Sequence, residues 1–225
     1  YQRGAYGDAR RWAEAALERA EDAGRLRIEI HARNTLGKLA LAQKDPAAAA
    51  TLFEENRTRA ARSGLGHQEA QAWTNLGVAL LLRRDLGRAE EACKKAVEVA
   101  TRASDTRDRA IATENLAVIA HLGRDYRRAL ASYHVAVGLL KRLGNRPMLA
   151  RVAINLGELY LSLGDRAQAR SLSELASHVL GASAPAPREA ERLLLRGRVE
   201  AADGRVEEAR AAFERALVIF AELGD

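Results

Sequence analysis

A spacing of 40 residues runs through the chain without a break. An unbroken period of that length is the strongest constraint on what the chain can fold into. Gly37, Gly77, Ala117, Gly157 and Gly197 stand one period apart. Asp45, Asp85, Asp125 and Asp165 hold a second register, and Ala9, Ala49, Ala89, Ala129, Ala169 and Ala209 a third. Four residues after each of these alanines from Ala49 on come Phe53, Cys93, Tyr133, Ser173 and Phe213. Gly24, Gly64, Gly144 and Gly224 close the repeats.

Each repeat reads as two helices. The first carries apolar or small residues at helical spacing, as in Trp73, Leu76, Gly77, Leu80 and Leu81. It stops at a turn before the Asp, which stands where an N-cap belongs. Asp45 followed by Pro46 is a cap with Pro at the first helical position. The second helix then presents one apolar side, Ala129, Tyr133, Ala136 and Leu140 in the third repeat, and ends near a Gly suited to a C-terminal cap. Small residues such as Gly77 and Ala89 let the two helices approach closely.

The chain opens on a lone second helix, about 7–23. Five 40-residue repeats follow, starting near 27, 67, 107, 147 and 187, for about eleven helices in a single all-α solenoid over 1–225. A helix pair cannot bury its apolar face alone, so neighbours stack and cover one another. The stretch "GASAPAPRE", 181–189, reads as a longer turn between repeats rather than a linker.

Composition agrees. Two Trp, five Tyr and three Phe leave a core of Leu and Ala, and four prolines with little β-branching argue for helices. The net charge of +6 is Arg scattered among Glu and Asp. No basic run with interleaved aromatics appears, so nucleic-acid binding is disfavoured. One cysteine excludes an internal disulfide framework. No apolar run reaches membrane length. A cytoplasmic, bacterial protein is expected. Because Tyr1 is not a start Met, the chain is expected to be a piece of a longer one.

The small position, the Gly-Asp turn and the "A-x-x-x-Y/F-x-x-A" second helix resemble the tetratricopeptide repeat, and the resemblance covers the whole chain. The 40-residue length resembles the long-helix subgroup of Leu-Gly-Asn adaptors, kinesin light chain and Rap-type peptide-responsive regulators. The residue after the small position is Lys38, Val78, Val118, Glu158 or Arg198 and never Asn, unlike the Leu-Gly-Asn adaptors. The resemblance implies a right-handed superhelix whose first helices line a concave groove for a peptide or partner helix.

Two residues before the small position stand Thr35, Asn75, Asn115, Asn155 and Leu195. The three asparagines would form a ladder of amides on neighbouring first helices. An amide both donates and accepts, as an extended peptide backbone requires; the ladder could equally bond neighbouring helices. By the family register the groove also takes Asn34 and Lys38, then Gln71, then Glu114 and His121, then Arg151 and Glu158, with Glu191 and Arg198 in the last repeat. A carboxylate clamp is not expected, because Asn34 and Lys38 stand in the wrong order for it. Along the turns, Arg83, Arg84, Arg88, Arg124, Arg127 and Arg128 make a basic edge that nearby aspartates neutralise.

No catalytic constellation is legible. The five histidines stand apart without ligand spacing, and Cys93 occupies a packing register. The expectation is a non-enzyme with no cofactor and no metal, binding a protein or peptide. The alternative is a sensor domain controlling an attached effector in a larger bacterial regulator. The apolar face of the last helix (Ala212, Phe213, Ala216, Leu217, Phe220) lacks a following cap and allows end-to-end self-association.

Overall fold

The computed structural model describes the backbone of residues 2–181 and 184–223, and side chains from residue 6 onward. Eleven α-helices and no strand occur among the described residues. The chain divides into two compact bodies, residues 1–119 and 120–225, with the division in the last turn of α6.

The N-terminal body holds α1 (Gln2–Asp22), α2 (Leu26–Ala42), α3 (Pro46–Arg62), α4 (Gly66–Leu82), α5 (Leu86–Arg102) and most of α6 (Thr106–Leu122). The C-terminal body holds α7 (Tyr126–Leu143), α8 (Arg146–Ser162), α9 (Arg166–Leu180), α10 (Ala186–Ala202) and α11 (Val206–Leu223). Even-numbered helices up to α10 are the first helices of the repeats.

The turns explain the period. Each first helix closes by a backbone bond to the carbonyl five residues back, from the Asp in the first four repeats, as Asp45 to Ala40 at 2.9 Å and Asp165 to Tyr160 at 2.9 Å, and from Arg205 to Glu200 at 2.9 Å in the fifth. The same Asp then caps the second helix. The amide of Ala48 donates to Asp45 Oδ1 at 3.0 Å and that of Gln168 to Asp165 Oδ1 at 3.0 Å, with Asp85 and Asp125 doing the same. The residue before the Asp must be left-handed. Gly164 fills that place at φ 81°, but Lys44, Arg84 and Arg124 also adopt it, at 60–63°. Gly24, Gly64 and Gly144 take the same conformation between repeats, while Gly224 lies outside the described residues.

Close approach at the small position sets the pairing. A Cβ on Gly77 would stand 2.5 Å from Cys93 Sγ, on Gly37 2.5 Å from Phe53 Cε1, and on Gly197 2.5 Å from Phe213 Cε1. Ala49, Phe53, Ala79, Ala89 and Cys93 are fully buried around these contacts. In the C-terminal body Ala153, Ala169, Ala176, Leu195 and Val199 form the matching core.

Two details depart from expectation. Pro185 is the N-cap of α10 and Pro187 lies in its first turn, whereas Ala182 and Ser183, inside the anticipated longer turn, lie outside the described residues. On α11, Ala212 and Ala216 are buried against the body, because small side chains face α10. Val206, Leu217 and Val218 are its exposed large apolar residues, and Phe213 and Phe220 are half-buried.

Candidate functional site

In the N-terminal body the amides bond one another. Asn75 Nδ2 donates to Asn34 Oδ1 at 2.6 Å, and Asn34 Nδ2 donates to Gln71 Oε1 at 3.3 Å. Three sequence-chosen residues thus form one chain between α2 and α4. Thr35, the counterpart of Asn75 by strict count, donates instead to the His31 carbonyl of its own helix at 3.1 Å. Asn34, one residue earlier, is the one that faces α4. Asn115 Nδ2 is enclosed without a hydrogen-bond partner, and Glu114 beside it is 2% exposed.

Lys38 is exposed, and its charge reaches Asp108 at the start of α6. Burial pushes the Asp108 carboxyl up to about 6, and neighbouring Asp105 pushes the same way. Arg107, His67 and Lys38 oppose them. Asp105 accepts the Asp108 amide at 2.9 Å as N-cap of α6 and meets His67 Nδ1 at 2.9 Å. His121 lies half-buried at the end of α6, edge-on to Tyr126 with ring centroids 6.0 Å apart. It thus packs on the turn into α7.

In the C-terminal body Arg151, Asn155 and Glu158 line one depression of about 420 Å3 between α8 and α10. Glu191 and Arg198, also placed on the groove by register, complete it. Arg198 Nη1 donates to Glu158 Oε2 at 2.6 Å across one full repeat. Arg188 pairs with Glu191. Arg188 and Leu194 were not singled out from the sequence. No register pointed to Arg188, since one and two 40-residue steps before it stand Met148 and Asp108.

These groups offer hydrogen bonds and alternating charge. Cys93 is buried, and burial, followed by Glu90, pushes its thiol up to about 12, which leaves it protonated and unreactive at neutral pH. Among the described residues no group of three or more His, Cys, Asp or Glu is arranged to hold a metal. No described helix is long and apolar enough to cross a membrane. On the turn edge, Arg88 and Arg128 sit 3.7 Å from Asp85 and Asp125, so part of the basic edge is neutralised locally.

The profile of the tetratricopeptide repeat matches residues 34–105 and 154–223, more than half of the chain. The chain belongs to the tetratricopeptide repeat family. No curated protein matches it. Among solved structures it is similar to BtubC (BKLC) from P. vanneervenii, at 23% identity and TM-score 0.78 over 98% of this chain and 92% of that one. It is also similar to a Rap protein complexed with Competence and Sporulation Factor, at 16% identity and TM-score 0.76, covering 88% of this chain and 56% of that one. A third is NprR in complex with its cognate peptide NprX, at 16% identity and TM-score 0.66, covering 90% and 60%. These likenesses show the fold, an all-α tetratricopeptide-like solenoid of antiparallel helix pairs.

Proposed function

We propose that the chain is a non-catalytic interaction module, one repeat array phased by its unbroken period, that binds a peptide or partner helix along its first helices. The observation that carries this reading is the depression between α8 and α10. Asn155 lines it, together with Arg151, Glu158, Arg188, Glu191 and Arg198, whose charges alternate in chain order. Such a lining suits a peptide of mixed charge, with the amide addressing its backbone. The ten residues of the groove as read from sequence divide between the bodies. Asn34, Gln71 and Asn75 hold one another, and Arg151, Asn155 and Glu158 line the depression, with Glu158 accepting from Arg198. We assign recognition chiefly to this depression in the C-terminal body; of the other residues read from sequence, Lys38, Glu114 and Asn115 lie in the N-terminal body and His121 at the end of α6.

The test is a screen of the immobilised chain against a random peptide library, repeated with Arg198→Glu and Asn155→Ala. Bound peptides should carry both charges and lose at least about tenfold in affinity, about 1.4 kcal/mol, in either variant at an unchanged melting temperature. Peptides held equally by all three proteins would sink the reading. If Asn75→Ala, Asn115→Ala and Asn155→Ala together lower stability and leave peptide affinity untouched, the amides are structural.

A second reading has support of its own. The NprR structure holds its cognate peptide NprX and the Rap structure holds Competence and Sporulation Factor, and this chain spans 60% and 56% of them. A sensor domain that reports peptide binding to an attached effector would use the same depression. Peptide-dependent change in an effector domain encoded beside this chain would favour it.

A further inference from the structure

On the other side of the N-terminal body, α3 and α5 wall an open trough of about 660 Å3. Its floor comes from α4, as Trp73, Leu76 and Leu80 on one helical face. Trp73 is half-buried, and Arg57 lies over its ring at 4.7 Å, tied to Glu54 on the α3 wall. Arg88, Glu91, Lys95 and Glu98 line the α5 wall in the order plus, minus, plus, minus, about one turn apart, and Lys94, paired with Glu90 at 2.7 Å, stands beside them.

Two departures from the repeat meet in this trough. At the step of Trp73 the other first helices carry Arg33, Thr113, Ala153 and Leu193. At the four wall positions α3 carries Ala48, Thr51, Glu55 and Thr58, and α7 carries Arg128, Ala131, Val135 and Gly138. Neither α9 nor α11 has charge at all four. In the C-terminal body the matching space has Arg196 and Glu200 in place of Leu76 and Leu80, and Arg170 crosses it to Glu200 and Asp203. An apolar floor beside a four-charge stripe belongs to the N-terminal trough alone among the described repeats.

We propose that this trough docks an amphipathic helix of a partner protein. The partner would bring aliphatic residues at i, i+4 and i+7 and a flank ordered acid, base, acid, base along α5. The trough follows α5 from Arg88 to Glu98, about 15 Å or three turns, an elongated shape that suits a helix lying lengthwise. Trp73 and the stems of Lys94 and Lys95 supply the apolar contact. The wall charges are now held in exposed pairs, Lys95 with Glu98 at 2.9 Å and Arg88 with Asp85 at 3.7 Å. Such pairs contribute little, so turning them to a guest costs little. The alternation also fixes register, because a guest shifted by one turn meets like charges along the wall.

Trp12→Phe leaves Trp73 as the one tryptophan, so its emission reports the floor directly. The probe is a stapled helical peptide of about 15 residues, with leucines at i, i+4 and i+7 and a Glu, Lys, Glu, Lys flank. Its titration should shift Trp73 emission saturably, with a micromolar Kd. A peptide with the flank order Lys, Glu, Lys, Glu should bind about tenfold more weakly. Arg88→Glu, Glu91→Lys, Lys95→Glu and Glu98→Lys combined, all at exposed positions, should invert that preference at an unchanged melting temperature. Equal binding of the two peptides, or none below about 1 mM, overturns the proposal. So does concentration-dependent dimerisation of the protein alone that the four-fold variant abolishes, which would assign the trough to a second copy. Neither result touches the depression between α8 and α10, so the two sites stand or fall separately.

Discussion

The pairs α2/α3 and α8/α9 occupy the same register and fill their crossing point differently. In the first, the Phe53 ring from the pair's own second helix covers Gly37. In the second, Ser173 stands where Phe53 would be, and it is too short. Gly157 is met instead by Leu195, whose Cδ2 lies 2.8 Å from where a Cβ would be, and Leu195 comes from α10, the first helix of the next repeat. Leu195 also stands at the step of Asn75, Asn115 and Asn155. The amide gives way to a leucine in the repeat that follows the missing aromatic. A repeat position is thus defined by the volume it fills, and a neighbour supplies that volume when the usual residue does not.

The largest effects should come from emptying the two crossings. Phe53→Ala removes a ring that is fully buried, at a cost of about 4 kcal/mol. Denaturant unfolding gives the loss, and hydrogen exchange should show the opening centred on α2 and α3. Leu195→Asn is the sharper probe. It restores the ladder residue but places an amide in a dry hole against Gly157, for about 3 kcal/mol. Ser173→Phe alone overpacks that hole and should cost about 1–3 kcal/mol. Combined, the two should cost at least about 1 kcal/mol less than their sum. Strict additivity in this cycle would break the comparison, since it would mean that Leu195 does not stand in for the missing ring.

The paired helices, their order and their capping aspartates were legible because a period of 40 and the positions of Gly, Ala and Asp repeat at fixed steps. The azimuth of each helix was not. Residues one apart on a helix differ by about 100° in direction, so Asn34 and Thr35 both border the groove by count. Only the crossing of α2 with α4 turns Asn34 toward Asn75. The same blindness hid Leu195. Its register predicts a groove residue, and its burial follows from the absence of an aromatic at Ser173, which stands on another helix. Trp73 read as a core residue because the trough above it depends on the gap between α3 and α5, a distance no periodicity encodes. By contrast Arg151 and Glu191, and Glu158 and Arg198, stand one period apart, and all four line one depression.

The two bodies also differ at the start of their first helices. Asp105 caps α6 with Asp108 in the first turn, whereas one period later Asn145 caps α8 with Met148 in that place. Asp108 has a folded pKa raised from 3.8 to about 6 by burial first and Asp105 second. The folded chain therefore holds this proton more tightly than the unfolded chain. Unfolding releases it between about pH 4 and pH 6, and stability falls as pH rises through that window. Asp108→Asn should abolish this slope and raise stability at pH 7 by about 3 kcal/mol, with no gain below about pH 4. Melting curves across pH 4–8 check it, and a slope that survives the substitution would place the titration elsewhere.

The smallest effect is expected where the two pairs agree. Asp45 and Asp165 each accept one amide bond, from Ala48 and Gln168, both at 3.0 Å. Asp45→Ala and Asp165→Ala should each cost about 1 kcal/mol. Asp45 is followed by Pro46, which sets the first helical φ without the side-chain cap, so its loss should be the milder by a few tenths of a kcal/mol. Chemical unfolding of both variants at pH 7 measures the difference. Near-equal losses would confine the contrast between α2/α3 and α8/α9 to their crossing points. A several-fold larger loss at Asp165 would show that the pair borrowing Leu195 is also the one leaning on its turn, because a crossing filled from a neighbouring repeat holds its own second helix less firmly.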